Sequence, residues 1–166
     1  MSGQLTSAEV EGLYRRYGFY LRRRCGLILR DAALVDDAMQ EAFVRVYKNG
    51  TLVRSMERPL KWLARVVDRC AFDQLRRGKH SQMAQPIDGL SDTVGVHPGM
   101  SLELRDGVLT LLRSLDQQDQ QIAMMAFVDG MTQAEIAAEM GYSRVTINKK
   151  VQSIRDRAER LLEARA

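Results

Sequence analysis

Apolar residues in this chain recur every three or four positions, the spacing of one helical face, and caps, glycines and prolines divide the stretches so patterned. Ser7 is positioned to cap a first helix from near Ala8, with Leu13, Tyr17, Tyr20 and Leu21 on its apolar face. Asp31 is a second cap, and a stripe of Val35, Ala38, Met39, Ala42, Phe43 and Val46 predicts a helix from about Leu34 to Lys48. Asn49-Gly50 breaks that pattern, and Thr51 to Arg58 reads as a loop. Pro59 suits the first turn of a long helix ending near Arg77, whose core arc is Leu60, Leu63, Ala64, Val67, Cys70, Ala71 and Leu75.

After a stretch with little periodicity the helical pattern resumes at Ser101 to Ser114, with Leu102, Leu104, Val108, Leu109, Leu111 and Leu112, then Leu115. Asp116 caps a further helix expected to bury Ile122, Met125 and Ala126, with Phe127 or Val128 beside them. Thr132 with Glu135 three residues on forms a capping box, and Ile136, Ala137 and Met140 share a face of the short helix that follows. Gly141 supplies the left-handed backbone that ends a helix. Ser143 caps a last helix, where Ile147, Val151, Ile154, Ala158 and Leu161 share a face. This is a helix-turn-helix pattern, and the outward face of its second helix carries Arg144, Asn148, Lys149 and Gln152, suited to phosphates and base edges. The predicted fold class is therefore all-α, in two small helical domains at 1–80 and 101–166. Residues 81–100, rich in glycine, proline and serine, form a flexible linker between them.

Charge sharpens the picture. The formal net charge is only +4, but residues 1–80 hold 16 Lys+Arg against 9 Asp+Glu, and residues 101–166 hold 9 against 10. The strong electrostatic grip on a polyanion is expected in the first half. There the Pro59 helix carries Lys61, Arg65, Arg69, Arg76 and Arg77 opposite its core arc, with Trp62 and Phe72 among them. Aromatic rings interleaved with arginines suit single-stranded nucleic acid, where bases stack and phosphates meet guanidiniums. Trp62 packed beneath a neighbouring helix is the competing reading. Asp73, on the same basic face, reads as an ion-pair partner that orients arginines.

Enzyme chemistry finds no support: there is no glycine-rich phosphate loop, no metal-ligand cluster and no nucleophile beside a base, so neither catalytic residues nor a cofactor or metal is expected. Cys25 and Cys70 form no CxxC pair and read as reduced, buried thiols. With no membrane-length apolar run and no signal peptide, the expected compartment is the cytoplasm.

Four pieces, in order, resemble an extracytoplasmic-function (ECF, group IV) sigma factor of the sigma-70 family. They are Leu13-Tyr14-Arg15-Arg16-Tyr17-Gly18; Asp36-Asp37-Ala38-Met39-Gln40-Glu41-Ala42-Phe43; Trp62-Leu63 with Asp73 and Arg76-Arg77; and Gly130-Met131-Thr132 through Val151. The resemblance spans about Leu13 to Leu162. It implies a bacterial transcription initiation factor that binds core RNA polymerase and promoter DNA, reading the −35 element as duplex and the −10 element as melted non-template strand. Residues 1–80 would be sigma region 2 and 101–166 region 4. It further implies that Asp36, Asp37, Gln40 and Glu41 contact polymerase. Lys48, Arg54, Arg58, Lys61, Trp62, Arg65, Arg69, Phe72, Arg76 and Arg77 would serve the −10 strand, the stretch from Lys48 to Arg58 receiving a flipped base. Arg144, Val145, Asn148, Lys149 and Gln152 would face the −35 groove. An anti-sigma factor, common in the family, would cover the polymerase-binding faces. One position departs: the family usually has Asn four residues before the Asp matching Asp73, and here it is Arg69. The alternatives are a stand-alone helix-turn-helix regulator dimerising on a palindrome, and a protein-binding helical adaptor.

Overall fold

The computed structural model describes residues 3–77 and 102–166, with side chains from 106 onward in the second stretch. The expected linker at 81–100, and the side chains of Leu102 and Leu104, lie outside the described residues. Every regular element among those described is helical, and the chain divides into two compact units, Met1–Pro98 and Gly99–Ala166.

In the first unit, α1 (Ser7–Ile28), α2 (Ala32–Lys48), α3 (Gly50–Ser55) and α4 (Leu60–Arg77) follow one another. Thr6, not Ser7, caps α1: its Oγ1 accepts from Glu9 N at 3.2 Å, and Glu9 Oε2 accepts from Thr6 N at 2.7 Å. The Thr-x-x-Glu spacing beats the serine because only it satisfies two amides reciprocally. Asp31 caps α2 through Ala33 N at 2.8 Å, starting it two residues before the predicted Leu34. α1, α2 and α4 pack pairwise into a bundle, with α4 against both neighbours. Leu21, Ile28, Val35, Ala42, Leu63, Val67, Cys70 and Phe72 fill its core. Tyr20, predicted for the apolar face of α1, is exposed, and its hydroxyl accepts from buried Arg24 Nη1 at 3.3 Å.

The loop expected from Thr51 to Arg58 is helical over its first part, as α3. Its buried Gly50 takes a strand of backbone across it: a Cβ there would lie 2.5 Å from Gln4 C and Leu5 N. Leu5 N donates to Tyr47 O at 2.9 Å and Thr51 N to Gly3 O at 3.1 Å, while the Leu5 side chain is buried. Contacts so remote in sequence leave no trace in local periodicity.

The second unit comprises α5 (Leu102–Ser114), α6 (Gln117–Ala123) continued by a π-helical turn Met124–Val128, α7 (Gln133–Met140) and α8 (Arg144–Glu163). Asp116 caps α6 through Asp119 N at 2.8 Å. The π-turn, in which Asp129 N donates to Met124 O at 3.0 Å, changes which residues face inward. Met124 and Met125 are buried, Ala126 is half-buried, and Phe127 and Val128 are exposed, so the burial expected of one of the latter two is not realised. α8 packs against α5, α6 and α7. Ile147, Val151 and Ile154 are buried beneath it, and Lys150 Nζ donates to Asp119 Oδ1 at 2.8 Å.

Candidate nucleic-acid interface

The helix-turn-helix is built as its caps require. Thr132 Oγ1 accepts from Glu135 N at 3.2 Å and Glu135 Oε2 from Thr132 N at 2.7 Å. Gly141 ends α7 at φ 72°, and Ser143 Oγ accepts from Thr146 N at 3.1 Å to start α8. With Ile136, Ala137, Ile147 and Val151 buried, the opposite face of α8 must point outward. Arg144, Val145, Asn148, Lys149 and Gln152 are all exposed there. Gln133 Nε2 donates to Asn148 Oδ1 at 3.1 Å, and Gln152 Nε2 to Asp156 Oδ1 at 2.9 Å. An exposed valine among amides and cations gives this face an apolar contact as well as donors, the mixture that reads base edges.

In the first unit, α4 presents exposed Lys61, Arg69, Arg76 and Arg77, with Trp62 half-buried. Asp73 pairs with Arg76 at 3.3 Å and with Arg45 of α2 at 3.6 Å, and so orients arginines as expected. Phe72 does not belong with them. It is 1% exposed and part of the core. α4 is covered by two helices, so its buried arc is wider than a one-sided pattern suggests. The wider arc also takes in Asp68, whose carboxylate accepts from Arg24 Nε at 2.6 Å and Nη2 at 2.7 Å. Both side chains are buried, a paired arrangement that a lone charge could not sustain. Asp68 falls just beyond the core arc predicted for α4, and that Arg24 of another helix meets it is set by packing that the local pattern does not show. Arg65 is only 14% exposed and lies 3.7 Å from Asp68, so its head group is held against the bundle.

Lys48 and Arg58 are exposed. Arg54 is engaged: its Nε and Nη2 donate to Glu9 Oε1 and Oε2, each at 2.7 Å, and Nη2 also donates to Gln4 O at 2.9 Å. This fork and the Thr6 amide hold the Glu9 carboxyl down at about 2.

On α2, Asp36, Asp37 and Gln40 are exposed; Asp36 is ion-paired with Arg22. Glu41 is half-buried, 2.6 Å from Arg45 and 3.6 Å from Arg77. Gln40 lines an apolar groove of about 610 Å³ with Val10, Tyr14, Phe43, Val44 and Tyr47. Val44 and Tyr47, three apart and off the core stripe, were the sequence signal for this groove. Burial pushes the Cys25 thiol up to about 12 and Cys70 to about 11, so both are inert thiols at neutral pH. Among the described residues no cluster of His, Cys, Asp or Glu fits a metal ion, and no helix is long and apolar enough to cross a membrane.

Two helical units, one bearing a helix-turn-helix and the other a helix with exposed arginines around a half-buried tryptophan, are an architecture suited to a helical DNA-binding protein. A family model described as ECF sigma factor matches residues 21–164, and the chain belongs to that family of promoter-directing RNA polymerase sigma factors. It is 23% identical over 135 residues to the probable RNA polymerase sigma factor RfaY of Xanthomonas campestris pv. campestris, covering 77% of this chain and about a third (34%) of that protein. It is 24% identical over 158 residues to the ECF RNA polymerase sigma factor SigK of Mycobacterium ulcerans, covering 89% of this chain and 84% of the relative. Among solved structures, CnrH in complex with the cytosolic domain of CnrY is similar at TM-score 0.59 and 24% identity, over 97% of this chain and 92% of that one. The sigma factor RpoE in complex with the anti-sigma factor NepR from Bartonella quintana is similar at TM-score 0.57 and 20% identity, over 95% and 98%.

Proposed function

We propose that this chain binds core RNA polymerase in the cytoplasm and directs it to promoters, reading a −35 element as duplex and a −10 element as melted non-template strand. The observation that carries the reading is the family match across both units, residues 21–164. The first unit acts as sigma region 2 and the second as region 4, joined through 81–100. On α2, Asp36, Asp37, Gln40 and Glu41 serve the polymerase, and the apolar groove beside Gln40 extends that surface. An anti-sigma factor gains most by covering it. On α4, Lys61, Trp62, Arg69, Arg76 and Arg77 meet the opened strand together with Lys48 and Arg58. Extruding a base costs a few kcal/mol, and a half-buried tryptophan among cations supplies a stacking surface to offset it. On α8, Arg144, Val145, Asn148, Lys149 and Gln152 enter the −35 major groove. The factor itself does no covalent chemistry; the polymerase does.

The test is in vitro transcription with purified core polymerase on a promoter library, with and without the protein. New starts sharing −35 and −10 motifs are expected. Asp37→Ala should lower core affinity, and Trp62→Ala should leave core binding intact while losing strand opening, read by permanganate reactivity. Absence of new starts and of co-elution with core polymerase from the cognate host would sink the reading.

A further inference from the structure

The segment running into α1 lies across the corner where α2 meets α3. Gly3 and Leu5 bond to Thr51 and Tyr47, Leu5 is buried, and the Gln4 side chain accepts from the Tyr47 hydroxyl at 3.0 Å. Gly50 makes room for this strap, since any side chain would meet its backbone. The strap ends in a capping box whose carboxylate, Glu9, faces two ways. It accepts from Thr6 N and from both forks of Arg54. Arg54 belongs to α3, the corner read above as the receiver of the −10 strand. Its guanidinium has three short bonds, all to the strap: two to Glu9 and one to Gln4 O.

We propose that Glu9 is a positioning residue for −10 specificity: it neutralises Arg54 and withholds it from the phosphate backbone of the non-template strand. The inference rests on the sigma reading of the corner at 48–58. Phosphate contacts add affinity without sequence information, whereas base contacts discriminate. A guanidinium free at this corner grips any strand. With Arg54 occupied, exposed Lys48, Arg58 and Lys61 supply the backbone attraction, and discrimination falls to the base-reading surface. The pairing is geometrically strong, a two-pronged Arg–carboxylate fork with a third bond to a carbonyl.

Glu9→Gln isolates the charge, because glutamine serves equally at the third position of a capping box. Holoenzyme made with wild-type protein, Glu9→Gln, Arg54→Gln, the double variant, and Glu57→Gln as a local charge control is titrated with a non-template −10 oligonucleotide over a salt series. One added phosphate contact steepens the slope of log K against log salt by about 0.7 for single strands. Glu9→Gln is expected to show that increase and to initiate less selectively on promoters with single −10 substitutions. Arg54→Gln alone, the double variant and Glu57→Gln should keep the wild-type slope. The proposal is overturned if Arg54→Gln alone flattens the slope, since Arg54 would then already contact phosphate, or if Glu9→Gln leaves the slope unchanged. Wild-type holoenzyme that initiates normally in either case leaves the sigma reading standing; wild-type holoenzyme that gives no promoter-directed transcript overturns both.

Discussion

Trp62 and Phe72 stand on one helix, and both read as stacking rings for an opened strand, yet packing separates them. Phe72 is buried where α1 and α2 both press on α4, while Trp62 stays half-exposed. Phe72→Ala is therefore expected to cost about 3–5 kcal/mol of stability, seen in urea unfolding. Trp62→Ala should cost less in the same measurement and show its effect in strand opening. Equal stability losses would place both rings in the core. A single helix's pattern shows which residues are apolar but not how many neighbours cover it, so Phe72 and Asp68 were illegible until α1 was in place. Glu9 makes a separate residue-scale prediction. Its folded value is lowered from 4.5 to about 2, so the contribution of its ionised form is present above pH 4.5 and is lost as pH falls through about 2. Carboxyl-carbon NMR titration should find that low midpoint, and a midpoint near 4.5 would show the Arg54 fork to be absent in solution.

Elements whose ends are chemically local were readable, except at α1, where the Thr6–Glu9 capping box displaces the expected Ser7 by one residue. Asp31, Asp116, Thr132 with Glu135, Gly141 and Ser143 cap or end the helices assigned to them, because each acts within a few residues. Elements set by distant contacts were not. α3 read as a loop because Asn49-Gly50 resembles a stop. The glycine is there for the strap lying on it, and the chain turns straight into another helix. The π-turn after α6 changes the facing of Phe127 and Val128 without an obvious compositional mark. Gly50→Ala tests the first of these. A Cβ 2.5 Å from the strap's backbone cannot be absorbed by a flexible side chain, so the strap must lift. Hydrogen exchange at the Leu5 amide, which donates to Tyr47 O, should accelerate by at least tenfold, while amides in the middle of α4 stay protected. Unchanged Leu5 protection would mean that α3 shifts instead.

At the scale of the molecule, charge and chemistry are unevenly shared. The first 80 residues carry the surplus of cations, while residues 101–166, which hold the helix-turn-helix, carry 9 basic against 10 acidic residues. DNA affinity is dominated by neutralised phosphates, so the groups proposed to read the −35 element stand, on α8, in a unit with little electrostatic pull of its own. The −35 contact should then depend on being held near its target, where tethering turns a weak second encounter into an effectively intramolecular one. Full-length protein alone is expected to bind a −35 duplex no better than unrelated duplex, with Kd of about 10⁻⁶ M or weaker at physiological salt. In holoenzyme the same −35 sequence should be discriminated, and Asn148→Ala should cost about 1–3 kcal/mol of that discrimination. Anisotropy titrations with and without core polymerase separate the cases. Tight, sequence-selective binding by the protein alone would turn the interpretation toward a stand-alone regulator. Selectivity that emerges only with polymerase is what a net-acidic reading domain requires.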